Sequence, residues 1–291
     1  MDKFRKRIEL AFQLDRARLA GYEQADLDPV ERLSFESIGI ERMRKSGFVV
    51  VNLEAKFTDK CRNPRDVVAN FARSVGVNTP HIPLHYNAEE RGRLFSHPAT
   101  TISPMPRSPH GEFDSNKAQG IHFDGTLEAI NIIRTAMLYC HQPAIEGGEN
   151  TIYNVVGALY DLYQRDINLV YPLFDPHALT KFSPKDSSMT CSGPVASFGP
   201  DGRLVTRFSN EYCTEPGDKS SVFALKMLYQ RLTENLSPLR YVTLKLEKGQ
   251  VLVLANNQVS HDRSAFSVDI PPRELYRAIF DEDLLELKAS T

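Results

Sequence analysis

Cysteine is scarce in this chain of 291 residues. Its four, Cys61, Cys140, Cys191 and Cys213, are scattered without a Cys-x-x-Cys spacing. That argues against a disulfide framework or a cysteine-rich zinc site, and reduced thiols in a cytosol are the simple expectation. No apolar run approaches the roughly 20 residues needed to span a bilayer. The first residues, Met1-Asp2-Lys3-Phe4-Arg5-Lys6-Arg7, lead into charge-interrupted sequence without the apolar core of a signal peptide, so a cytoplasmic location is expected. Charge of one sign is also missing. Thirty-five Lys and Arg against 37 Asp and Glu leave a net charge of −2, which offers no basic surface for nucleic acid and no acidic arm. Repeats, low-complexity tracts and strong linkers are absent. One domain over 1–291 is therefore expected, with oligomeric state left open.

What is present is ordinary globular material, 41% hydrophobic and 25% charged, enough for a sizeable core. Apolar spacing predicts a helix over 3–20, and Asp28-Pro29 reads as the opening of a second over 29–45. A strand follows over 47–53, then a helix from Asn63-Pro64 to Gly76. From 97 to 120 the texture turns to proline and polar residues, a long lid-like loop in which Arg107, His110 and Lys117 are candidates to touch a substrate, a solvated loop face being the more common outcome. Strands are predicted over 135–142 and 151–155, helices over 155–170 and 220–235, and short strands over 178–208. A hairpin pairs 241–246 with 251–255, and a closing strand covers 275–280. The fold class expected is mainly β with α insertions: a double-stranded β-helix, or jelly roll, core over 120–283 with flanking helices and a helix-and-strand preamble over 1–96.

The chain is organised around Gly120-Ile121-His122-Phe123-Asp124-Gly125. Alternate residues of a strand share a face, so His122 and Asp124 point the same way. A third ligand for a divalent metal is available far downstream at His261, within Asn256-Asn257-Gln258-Val259-Ser260-His261-Asp262-Arg263. Two histidines and a carboxylate make the facial triad that suits non-haem Fe(II) and leaves positions open. Arg273 lies 12 residues beyond His261, and its planar fork suits a carboxylate. Arg277 is four further on, on the same face of a strand. Inward arginines need anions to meet them. His81, His85, His97, His110, His141 and His177 are read as structural or surface residues.

With these pieces in order, the chain resembles the taurine dioxygenase family of Fe(II)- and 2-oxoglutarate-dependent oxygenases, including its clavaminate-synthase-like branch. The resemblance is carried by HFDG at 122–125, GGENT at 147–151, KGQVLVLANNQVSHDRSAF at 248–266 and RELYRAIFDED at 273–283. It implies His122, Asp124 and His261 as iron ligands and Thr151 as a hydroxyl donor to the distal carboxylate of 2-oxoglutarate. It implies Arg273 as the salt-bridge partner of that carboxylate, and Arg277 near the metal end. The implied reaction spends O2 and 2-oxoglutarate, releases succinate and carbon dioxide, and oxidises an unactivated C–H bond of a small molecule, most often by hydroxylation.

Two departures bear on the branch. His261-Asp262-Arg263 stands where His-Gly-Arg is frequent, and Arg273-Glu274-Leu275 where Arg-His-Leu is. Asp124 argues against halogenation, because related halogenases lack the carboxylate ligand. Desaturation or ring closure remains an alternative. So do a zinc-type hydrolase on the same ligands, which would need no inward Arg273, and a non-catalytic jelly-roll binding protein. For substrate, Arg207 is expected to hold an anionic group, with Asn210 nearby, or else to pair with Glu211. A small polar, amino-acid-like metabolite of a specialised pathway is the expected class.

Overall fold

A computed structural model of the chain describes residues 2–84, 99–103, 115–125, 127–183, 186–211, 213–268 and 270–287. Most of the 97–120 loop, with Arg107 and His110, lies outside them, as do His85 and His97.

Two sheets make the jelly roll. The larger has the order β1 (Val30–Glu31), β2 (Phe48–Asn52), β13 (Gln250–Ala255), β5 (Thr135–Gln142), β15 (Glu274–Phe280), β3 (Thr100–Ile102). The smaller has the order β12 (Tyr241–Leu244), β6 (Asn150–Tyr153), β14 (Ser260–Arg263), β4 (Gln119–His122). The large sheet is buried on both faces, which is why β13 reads as an unbroken apolar run. Val251 and Val253 pack on the side of helices α2 (Ile40–Ser46) and α3 (Pro64–Ser74). Leu252 and Leu254 alternate with them and meet Ile152 and Val242 of the small sheet. A third apolar cluster joins α1 (Asp2–Leu14), α4 (Val155–Arg165) and α5 (Lys219–Thr233) to an insertion built from β7 (Leu179–Phe182), β8 (Thr190–Gly193), β9 (Ala196–Phe198), β10 (Leu204–Thr206) and β11 (Thr214–Pro216).

Helix α3 begins as expected: the Asn63 side chain accepts from Arg65 N, with Pro64 in the first turn. Three other expectations are corrected. The hairpin 241–246/251–255 does not form. β12 pairs with β6, β13 pairs with β2 and β5, and the Glu247–Gln250 turn carries the chain from one sheet to the other. Only the burial partners, which lie far away in sequence, separate a hairpin from such a corner. The helix expected over 29–45 begins at Arg32, as a 3-10 turn (Arg32–Ser34) and a π turn (Phe35–Gly39) that lead into the α-helix Ile40–Ser46. Val30 and Glu31 instead pair in parallel with Val51 and Asn52, and the burial of Val30 against the sheet overrides local propensity. The helix expected over 3–20 is present but interrupted, as Asp2–Leu14 and Arg16–Leu19, because Asp15 is drawn inside, where its carboxylate accepts from Leu204 N at 3.0 Å.

Candidate active site

Register brings the two histidines together. β14 runs antiparallel to β4 with His261 directly opposite His122, and the ring centroids are 4.3 Å apart. Asp124 follows the end of β4 and completes the cluster: His122, Asp124 and His261 each offer a ligand atom, all within 4.8 Å of one another and all buried. A buried asparagine fixes the turn that carries Asp124. Asn256 Oδ1 accepts from Asp124 N at 2.9 Å, and Asn256 Nδ2 donates to the Asp124 and Ile133 carbonyls at 3.0 Å each. Nothing in the local sequence marks Asn256 for this work beyond its place in the run before His261.

Burial and charge set the three groups in ligand form. Burial pushes the imidazoles down, His122 to about 4 and His261 to about 3, so both are neutral at pH 7. Burial alone would raise the Asp124 carboxyl, but Arg277 and the two imidazoles outweigh it and hold it below its ordinary value. His122 Nδ1 lies 2.9 Å from the Gly120 carbonyl. A proton held there donates to that oxygen and leaves Nε2 free for a metal.

A pH dependence follows. The unfolded chain protonates these histidines near pH 6.5, while the folded, metal-free chain resists until about 4 and 3. The unfolded state thus binds more protons below pH 6.5, so their contribution is fully present above that pH and is lost as pH falls toward 4. Between pH 4.5 and 6 the two together contribute a slope of at most about 2.7 kcal/mol per pH unit. Urea unfolding in a metal chelator should show it, and the double variant His122→Asn, His261→Asn should lack that part of the slope. Equal slopes would mean that the imidazoles are not held neutral.

The cavity beside the triad is lined by His122, His261, Asn150, Arg263, Arg273 and Arg277, among others. Arg273 is 3% exposed. Burial, and then the neighbouring Arg263, pushes its guanidinium down to about 10. Arg277 forms an ion pair with Asp124. Both expected arginines therefore face inward. The double glycine makes room for them. Gly147 and Gly148 have φ of +72° and +74°, a β-carbon on Gly147 would lie 2.1 Å from the Ala265 carbonyl, and one on Gly148 would lie 3.1 Å from Arg273 Nε.

Thr151 is the correction at the site. Its hydroxyl lies 3.2 Å from Thr243 Oγ1, on the sheet face away from the cavity, and its amide donates to Asp262 Oδ1. Side chains alternate along a strand, so it is the preceding residue, Asn150, that faces the cavity. The same alternation explains Asp262: it points outward and accepts from Tyr153 Oη at 2.6 Å, tying β14 to β6. Arg263, two past His261, points inward. It donates to the Ser115 and Lys117 carbonyls at 3.1 and 2.7 Å, while the Lys117 side chain is exposed.

Arg207, with its Cζ 5.9 Å from the Phe123 ring centroid, is 1% exposed and donates to Cys191, through Nη2 to the carbonyl and through Nη1 to the sulfur. Glu211 pairs not with Arg207 but with Lys181, at 3.7 Å. Asn210 is exposed, and its backbone amide donates to the Ile121 carbonyl. The remaining described histidines each have a neighbour of their own away from the triad. His81 bridges Asp281 and Glu128, His141 packs on Tyr276, and His177 lies 3.4 Å from Ser192 Oγ.

The family model for the taurine catabolism dioxygenase TauD/TfdA family matches residues 26–279. The chain belongs to that family. It is an Fe(II)- and 2-oxoglutarate-dependent oxygenase. A uridine-5′-phosphate dioxygenase of an Amycolatopsis species is 29% identical over 248 residues, covering 84% of this chain and 88% of that one. Its namesake from a Streptomyces species is 27% identical over 246 residues, covering 82% and 87%. Among solved structures, an asparagine oxygenase with Fe(II), hydroxyasparagine and succinate superposes with a TM-score of 0.63 at 17% identity, over 86% of this chain and 77% of that one. The non-heme iron oxygenase OrfP with iron and α-ketoglutaric acid gives 0.59 at 14% identity, over 86% and 78%. At such identities the likeness is one of fold. No helix among the described residues is long and apolar enough to cross a membrane.

The side chains present fit the family's metal and co-substrate. His261 Nδ1, Asp124 Oδ2, Asn150 Nδ2 and Arg273 Nη1 are buried without a hydrogen-bond partner among the described residues. The first two suit a cation. The last two are donors that need an acceptor, and a keto-diacid beside the triad supplies one.

Proposed function

We propose that this oxygenase oxidises a C–H bond of a small anionic metabolite, with a nucleoside 5′-monophosphate as the leading candidate, in a single domain over 1–291 and in a reducing cytosol. The observation that carries the substrate class is a buried cation beside Phe123, the residue between two of the ligands: Arg207 donates to the uncharged carbonyl and sulfur of Cys191 and has no acidic partner among the described residues. The relatives named for uridine 5′-phosphate match over four-fifths of the chain and support a nucleotide over an amino acid.

His122, Asp124 and His261 hold Fe(II), which, with 2-oxoglutarate and O2, supplies the oxidising power. The chain's own residues then orient and exclude. Arg273 and Asn150 grip the distal carboxylate of 2-oxoglutarate, Arg273 as a charge-assisted donor. Arg277 holds Asp124 in one orientation through their ion pair. Arg207 meets the substrate's anionic group. With Asp124 available as a ligand, hydroxylation is favoured over halogenation.

The test is succinate release under oxygen with a panel of uridine 5′-phosphate, other nucleoside monophosphates and amino acids. Succinate should form above the substrate-free rate with a nucleotide, and only with iron(II). Stimulation by amino acids alone would overturn the nucleotide reading. Turnover with zinc and no succinate would overturn the oxygenase mechanism.

A further inference from the structure

Lys181 has no part in the site described above. It stands on β7, is fully buried, and has its Nζ 4.4 Å from the centroid of the Phe123 ring. Arg207 Cζ is 5.9 Å from the same centroid. Phe123 is the residue between His122 and Asp124, so two buried cations converge on the ring that separates two metal ligands in sequence.

Compensation for these two charges is incomplete. Lys181 donates to Ser209 Oγ at 3.0 Å and shares Glu211 at 3.7 Å. Arg207 has the carbonyl and sulfur of Cys191, both uncharged acceptors, and its Nε is buried without a partner among the described residues. One carboxylate, Glu211, thus stands against two cations and pairs only with Lys181, and an aromatic face offsets only part of the remainder. The fold nevertheless makes room for the arrangement: a β-carbon on Gly193 would lie 2.5 Å from Arg207 Nη1.

We propose that Lys181 and Arg207 together form the subsite for the anionic end of the substrate, and that this end is a doubly charged phosphate monoester rather than a carboxylate. The inference rests on the reading above that the substrate is anionic. The number of charges decides between the two anions. Asp124 and Arg277 cancel each other, and the dianionic co-substrate answers Arg263 and Arg273. The metal's two charges and the excess at Lys181 and Arg207 are left. A carboxylate would leave two of these three uncompensated, whereas a phosphate dianion leaves one. Lysine adds three donors on a compact charge, which suits the three terminal oxygens of a phosphate.

The test is anaerobic calorimetry on the full chain loaded with Fe(II) and 2-oxoglutarate, using uridine 5′-phosphate, uridine and inorganic phosphate as probes. The wild type should prefer the nucleotide over the nucleoside by about 100-fold, and Lys181→Met should remove most of that preference. The same variant should leave uridine and 2-oxoglutarate affinity within about threefold and abolish competition by inorganic phosphate. Arg207→Lys keeps the charge, and with it the fold, and should lower the preference by about tenfold, because the planar fork is lost. Nucleotide binding that both variants leave unchanged would overturn the subsite while the nucleotide reading stands. Equal losses for nucleotide and nucleoside would also overturn the subsite, marking Lys181 as a packing residue. Phosphate binding that depends on Lys181, without nucleotide binding, would keep the subsite and remove the nucleotide. Binding of none of the three probes by the wild type would end both.

Discussion

Exchanging Asp124 for alanine is expected to weaken iron(II) binding by about a thousandfold or more and to reduce succinate formation to background. Loss of a group that merely orients a ligand typically costs 10–100-fold in metal affinity, and loss of the ligand itself should exceed that. Here the substitution acts twice. It removes the carboxylate of a triad whose ligand atoms lie within 4.8 Å of one another, and it strands Arg277 in the interior without its ion-pair partner. A cation then faces the position where a dication must sit. The second effect can be separated from the first. Arg277→Met keeps all three ligands and should lower iron affinity by only about 10–100-fold. Titration with Fe(II) under anaerobic conditions measures both. If the Asp124 variant binds iron as tightly as the wild type, the three residues are not the metal site.

The sequence carried the two ends of this site for a physical reason. A metal needs particular donor atoms, so His122, Asp124 and His261 cannot be disguised by other residue types. Their strand spacing set which of them share a face, and the observed register of β4 on β14 puts the histidines opposite each other. Arg273 and Arg277 were legible for the same reason: guanidinium groups on one face of a closing strand imply anions. What a motif does not carry is phase. Thr151 and Asn150 are adjacent in GGENT, and a one-residue difference in where the strand begins exchanges the cavity face for the outer face. The motif suggests an inward hydroxyl at Thr151, and the structure lines the cavity with the Asn150 amide instead.

Support residues were harder still to read. Asn256 and Arg263 act through partners far away in the chain, and a buried polar side chain looks like a surface one until its neighbours are known. The missed sheet corner at Glu247–Gln250 has the same origin. Local turn chemistry was right, but β12 and β13 find their partners in different sheets. Position two beyond a ligand histidine was the available signal for Arg263, since it shares the face of His261.

For Arg273, replacement by alanine should raise the concentration of 2-oxoglutarate needed for half-maximal succinate release by about 10²–10³-fold. That range, about 2.7–4.1 kcal/mol, falls within the roughly 2–5 kcal/mol typical of removing one partner of a buried, hydrogen-bonded charge pair. The guanidinium is 3% exposed, and burial has pushed it down to about 10, so it is already desolvated and a bound carboxylate competes with little water. Its Nη1 has no partner among the described residues, which leaves that donor available to a carboxylate. Arg273→Lys should restore part of the loss, because charge returns without the bidentate fork. Iron affinity measured without co-substrate should change little in either variant, which separates a failed anion clamp from a collapsed site. Two neighbours test the assignment by contrast. Asn150→Ala should cost about tenfold for one neutral hydrogen bond to a charged group. Thr151→Val, on the opposite face of β6, should leave 2-oxoglutarate affinity nearly unchanged. The reverse order of those two effects would return the hydroxyl of Thr151 to the cavity and reverse the phase assigned to the strand.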